Sequence, residues 1–129
     1  MTATKAQATG TIIGLDLTVP DAEEVRDFYA SVIGWQPEPF PMDGYDDYFM
    51  KSPETGAISA GVCHARGVNA DLPAQWMVYI AVEELQASLD RCLELGGETL
   101  TEIKGNEGEA RYCVIRDPAG AVLALMQMG

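Results

Sequence analysis

The sequence predicts an α+β fold: two βαβββ modules paired into one curved sheet around a cavity, with the helices outside. Three observations predict it. Residues 14–35 read as a complete strand, turn and helix; the same pattern returns 63 positions later; and each copy is followed by three short strand-like runs. A sheet of four short strands with one helix leaves a face to be covered, which is the physical reason to pair the modules.

In the first copy Leu15, Leu17 and Val19 alternate with Asp16 and Thr18, the period of a half-buried strand. Pro20 cannot extend a central strand, and Asp21 with Glu24 three residues later has the form of a capping box. Ala22, Val25, Tyr29 and Val32 then recur at helical spacing, leaving Glu23, Glu24, Arg26 and Asp27 toward solvent. Gly34 suits the left-handed C-cap, and Trp35 opens the next strand.

The second copy sets Val82 on Val19, Glu84 on Asp21 and Gly97 on Gly34, with Leu85, Leu89, Cys92 and Leu93 on one helical stripe. Further strands are expected at 35–40, 45–52 and 57–63 in the first module, and at 98–103, 110–115 and 121–127 in the second. The turns between them carry PMDG, SPETG, KGNEGE and DPAG. Module one then spans residues 11–64 and module two residues 74–128. The linker 65–73, ARGVNADLP, has no period and carries Gly, Asn, Asp and Pro. Residues 1–10 read as a frayed arm.

A chain of 129 residues with 47% hydrophobic and 22% charged residues suits one globular domain. No apolar run reaches the roughly 20 residues of a membrane helix, and residues 1–10 lack a secretory core, so a cytoplasmic location is expected. Eight basic against 20 acidic residues give a net charge of −12, which opposes nucleic-acid backbones and anionic membranes as partners. Cys63, Cys92 and Cys113 form no CxxC pair and read as small buried hydrophobes in a reducing compartment.

The run VPDAEEVRDFYASVIGW, the later LELGGE and the closing RDPAGAVLALMQ resemble the vicinal oxygen chelate superfamily, the glyoxalase, bleomycin-resistance and extradiol dioxygenase group. The resemblance spans about residues 11–127. It implies a cavity as the site, a homodimer as the common assembly, and a metal held by one His, Gln or Glu from each of four strands. Carried onto this chain, those four positions fall on Gly14, Ala60, Met77 and Ala124. None supplies a usual donor. No cofactor is therefore expected, and the resemblance points to metal-independent members: small-molecule binding proteins, or a lyase or isomerase working with side chains alone.

Strand parity then proposes the lining. If Gly14 faces the cavity so do Asp16 and Thr18, and by the same step Val62 and His64 join Ala60, Tyr79 joins Met77, and Val122 and Met126 join Ala124. Asp16 and His64 are the candidate proton-transfer pair, and Tyr79, Met77, Trp76, Arg111 and Met126 the candidate ligand contacts. Each has a plainer reading. His64, the one histidine, fits a structural role; Asp16 is either hydrogen-bonded within the protein or held for a ligand; Trp76 fits a core or interface; Arg111 fits a solvated strand edge. Arg66, Asn69 and Asp71 either close the mouth or stay solvated, and Asp46, Asp47, Glu107 and Glu109 read as solvated faces. A displaced metal site of Asp16, His64 and either Tyr79 or Glu109 is the remaining alternative; it lacks a recognisable ligand spacing.

Overall fold

Gly34 ends the first helix in the left-handed conformation, φ 94°, its N–H bonded to the carbonyl of Ala30. The computed structural model describes residues 8–106 and 108–129; most of the expected arm, and Glu107, lie outside them. The elements are β1 (Ile12–Val19), α1 (Ala22–Ile33), β2 (Gln36–Pro41), β3 (Asp46–Lys51), β4 (Ile58–His64), β5 (Trp76–Ala81), α2 (Leu85–Glu94), β6 (Glu98–Thr99), β7 (Arg111–Arg116) and β8 (Val122–Gln127). This is the predicted βαβββ order, twice. Two compact units result: Leu15–Trp76, and Met77–Gly129 with the described residues up to Gly14. The first boundary thus falls inside β1.

In the unit of Leu15–Trp76 the strands lie in the order β2-β3-β4-β1, with β4 and β1 parallel and the other pairs antiparallel. Leu17 and Val19 of β1, Tyr48 and Met50 of β3 and Val62 of β4 pack with Ala22 of α1 as a core. Val25, Tyr29, Trp35 and Trp76 close over it. Arg26 belongs to this inner side and not to the solvent: its guanidinium lies 4.7 Å from the centre of the Tyr48 ring.

The second unit has the order β5-β8-β7-β6, with β5 and β8 parallel. Leu85 and Leu89 of α2 pack on Cys113 and Ile115 of β7, flanked by Leu123 and Leu125 of β8. The last residues of the expected arm are tied down here. Gly10 N–H donates to the Ala81 carbonyl and Ala81 N–H to the Thr11 carbonyl, both at 2.8 Å.

Several local expectations are corrected. Asp21 makes no side-chain cap, so the expected capping box does not form. The free N–H of Leu85 at the start of α2 is met from another strand, by Gln127 Oε1 at 2.8 Å. Val32 is 63% and Leu93 56% exposed, because each lies about 80° round its helix from the first stripe residue and in the last turns. The strand expected over 98–103 pairs only at Glu98 and Thr99. Beyond them Thr101 Oγ1 takes the N–H of Val114 at 3.1 Å, a side chain in place of a ladder bond.

Candidate functional site

Register decides which side chains share a face. Leu17 pairs with Val62 and Val19 with His64, while Asp16 pairs with Gly61 and Thr18 with Cys63. Since Leu17, Val19 and Val62 pack on α1, His64 and Ala60 belong to the helix side of β4, and Asp16 belongs to the opposite face. The expected grouping of Ala60, Val62 and His64 with Asp16 is therefore corrected by one residue. Asp16 instead stands beside Gly61, where a Cβ would come within 3.2 Å of its own Cβ.

His64 has a different carboxylate. Asp47 Oδ1 accepts the His64 backbone N–H at 2.9 Å and lies 3.4 Å from its ring Nδ1. A carboxylate only accepts, so Nδ1 carries the proton in this contact. The ring stands edge-on to Tyr45 at 5.2 Å and near Tyr48, and its side chain is 11% exposed. Asp47, expected on a solvated face, is a half-buried tie between β3 and β4. Burial first, then the charges of Asp16 and Asp47, push the neighbouring Cys63 thiol far above its ordinary range, so it stays protonated. Arg66, in the expected linker, is exposed and lies 4.3 Å over the Tyr45 ring.

Because Asp47 satisfies a half-buried N–H, Asp47→Ala is expected to cost about 1–3 kcal/mol of stability, and Asp47→Asn, which keeps an acceptor oxygen, clearly less. Urea unfolding of both variants measures this. A cost for alanine below about 0.5 kcal/mol would show that the tie does not matter.

The second unit brings a pair of tyrosines together on one face. Tyr79 pairs with Ala124, Val114 with Ala124, and Tyr112 with Met126, so Tyr79, Tyr112, Val114, Ala124 and Met126 share the face opposite α2 with Met77. Tyr79 and Tyr112 stand on strands separated by β8, about 10 Å apart at two strand spacings. Their rings nevertheless meet edge to face at 5.6 Å, reaching diagonally across β8, where Tyr79 pairs with Ala124 and Tyr112 with Met126. Gly14 stands beside Tyr79: a Cβ there would sit 3.5 Å from that of Tyr79.

Two predicted ligand contacts lie elsewhere. Trp76 belongs to the α1 core, its indole N–H donating to Tyr29 Oη at 3.1 Å and its ring edge-on to Trp35. Arg111 pairs with Gln127 and shares parity with Cys113 and Ile115, which places it on the α2 side. Lys104 escaped the sequence reading. It forms an isolated bridge with Tyr112, and its Nζ lies 5.6 Å from the Tyr112 ring centre. Burial holds its ammonium below the ordinary lysine range, with Cys113 opposing.

The four metal positions can be tested on this register. β4 stands to β1 as β8 stands to β5, so the residue matching Ala124 is Gly61 and not Ala60. Gly14, Gly61, Met77 and Ala124 bring no imidazole, carboxylate or amide, and the residues do not fit the chelate centre. Among the described residues, no three or more His, Cys, Asp and Glu gather where they could hold a metal ion, and no helix is long and apolar enough to cross a membrane.

A face of this kind within a twice-repeated βαβββ order defines a class, and comparison with known proteins agrees. The chain belongs to the Glyoxalase-like domain family, which it matches over residues 13–126. It is 29% identical over 119 residues to CFP32 of Mycobacterium bovis, whose name marks it as a candidate glyoxylase, covering 92% of this chain and 46% of that one. It is also 29% identical over 133 residues to the anthracycline biosynthesis protein DnrV of Streptomyces peucetius, covering 95% and 48%. The chain thus spans about half the length of these relatives. Among solved structures it is similar to a glyoxalase/bleomycin resistance protein/dioxygenase superfamily member from Vibrio splendidus, with TM-score 0.60, 12% identity and coverage of 91% and 99%. A methylmalonyl-CoA epimerase variant from Streptomyces coelicolor gives TM-score 0.59 at 12% identity, covering 95% and 99%. At such identity these structures share the fold.

Proposed function

We propose that this glyoxalase-like protein binds a small, partly aromatic organic molecule without the chelate centre of its superfamily. The observation that carries the reading is the face of Met77, Tyr79, Tyr112, Ala124 and Met126. Where the resemblance asks for metal ligands, this chain has small or apolar residues around a tyrosine pair. Apolar and aromatic walls with a few polar points are the general make-up of a small-molecule site. The anthracycline biosynthesis and glyoxylase names of the relatives point a first screen toward planar aromatic carbonyl compounds. A lyase or isomerase role for Asp16 with His64 draws no support from the register, which sets the two on opposite faces of their unit.

The test is a thermal-shift and tyrosine-fluorescence screen on dialysed protein, with and without EDTA, alongside elemental analysis. At a ligand concentration of a hundred times Kd the gain is about 2.7 kcal/mol, a rise of several degrees in Tm. The expected result is a shift unchanged by chelator and no stoichiometric divalent ion. One tightly held ion per chain, or a shift abolished by EDTA, would overturn the reading.

A further inference from the structure

We propose that Tyr79, Tyr112 and Lys104 form a recognition row for an aromatic ligand bearing an anionic oxygen, a carboxylate or phenolate. The rings take the aromatic part and the Lys104 ammonium takes the charge. This inference rests on the small-molecule reading above and names the ligand class for the same face.

Three observations carry it. Tyr112 touches both neighbours: the Tyr79 ring at 5.6 Å and the Lys104 Nζ at 5.6 Å from its centre. The cation therefore continues the aromatic surface. Second, Lys104 is fixed from below, since its N–H donates to the Tyr112 carbonyl at 2.8 Å and its carbonyl accepts the Tyr112 N–H at 2.9 Å. A backbone clamped on both sides fixes where the side chain starts beside the ring, so no backbone ordering has to be met when a ligand binds. Third, Lys104 is half-buried against an aromatic ring, and a charge relieved of part of its water interacts more strongly with an incoming anion than a solvated one. The chain's net charge of −12 repels anions at long range, so an anionic ligand needs such a local cation to be held.

The depressed Lys104 ammonium adds a pH signature. The protonated form binds the anion, so preference for the anion is present at neutral pH and is lost as pH rises through a value below the ordinary 10.5 of lysine.

The experiment compares 2-naphthoate with its neutral isostere 2-naphthamide, by fluorescence titration and thermal shift, on wild type, Lys104→Met and Lys104→Arg. Wild type is expected to prefer naphthoate by about tenfold or more, the worth of one charge-assisted hydrogen bond. Lys104→Met, which keeps an apolar stem of similar length, should bind the two alike, and Lys104→Arg should restore the preference. Circular dichroism confirms that each variant is folded. If wild type binds both compounds equally, or Lys104→Met keeps the preference, the inference falls while the small-molecule reading stands. If neither compound nor any member of the aromatic screen binds wild type, both fall.

Discussion

Leu85→Ala is expected to lower the unfolding free energy by about 2–5 kcal/mol, the cost of a large-to-small change at a site that cannot collapse. Leu85 has no exposed surface and packs with Leu89 against Cys113 and Ile115. Relaxation is hindered by the backbone. The Leu85 N–H is held by Gln127 Oε1 on β8, and three residues further on the Ser88 N–H donates to the Glu84 carbonyl at 3.0 Å. The matched control is Leu93→Ala on the same helix, where an exposed side chain should change stability by no more than about 0.5 kcal/mol. Urea unfolding of the two variants reads the difference. A loss at Leu85 comparable to that at Leu93 would mean that the α2 core is looser than its packing implies.

That contrast also marks what the sequence makes legible. Leu85 and Leu93 both fit the helical stripe, and periodicity alone cannot tell the centre of a stripe from its rim. Punctuation is more informative: Gly34 and the turns place both α-helices and most of the strands, and the 63-residue offset from Val19 to Val82 recovers both modules. Side-chain facing was harder, because it depends on single residues in turns. The turn into β4 closes from Ser52 N–H to Ala57, five residues, and the turn into β8 from Asp117 N–H to Ala121, four. A register shift between Met50 and Lys51 accompanies the longer turn. Aligning glycine on glycine across turns of unequal length slips β4 by one residue and turns His64 toward Asp16. The pairing of His64 with Asp47, and the seating of Lys104 on Tyr112, join residues 17 and 8 positions apart through strand geometry; no local pattern announces them. On the face of the second unit opposite α2, Met77, Tyr79 and Met126 follow from simple alternation along β5 and β8.

The seat of Lys104 depends on one glycine, and Gly105→Ala is expected to be the most damaging glycine-to-alanine change in the turns. Gly105 has φ +102°, and a Cβ there would come within 2.4 Å of the Ala110 carbonyl oxygen and 3.1 Å of the Arg111 Cα. Both are backbone atoms, so no rotamer change relieves the contact. Gly56 provides the comparison, with φ +74° and nothing within 4 Å of the added atom. Gly56→Ala should therefore cost only the dihedral term of about 1–2 kcal/mol. Gly105→Ala carries a similar term and must also part the strands, giving up the two Lys104–Tyr112 backbone hydrogen bonds at about 1 kcal/mol each. Its total comes to about 3–4 kcal/mol. The functional consequence is separable from the stability loss. Once the bridge opens, Lys104 leaves the Tyr112 ring, so the variant should lose its preference for naphthoate over naphthamide while still binding the neutral compound through Tyr79. Hydrogen exchange at the Lys104 and Tyr112 amides reports the opening directly. Equal costs at Gly56 and Gly105, with both amides still protected, would show that the hairpin absorbs the methyl group without releasing Lys104.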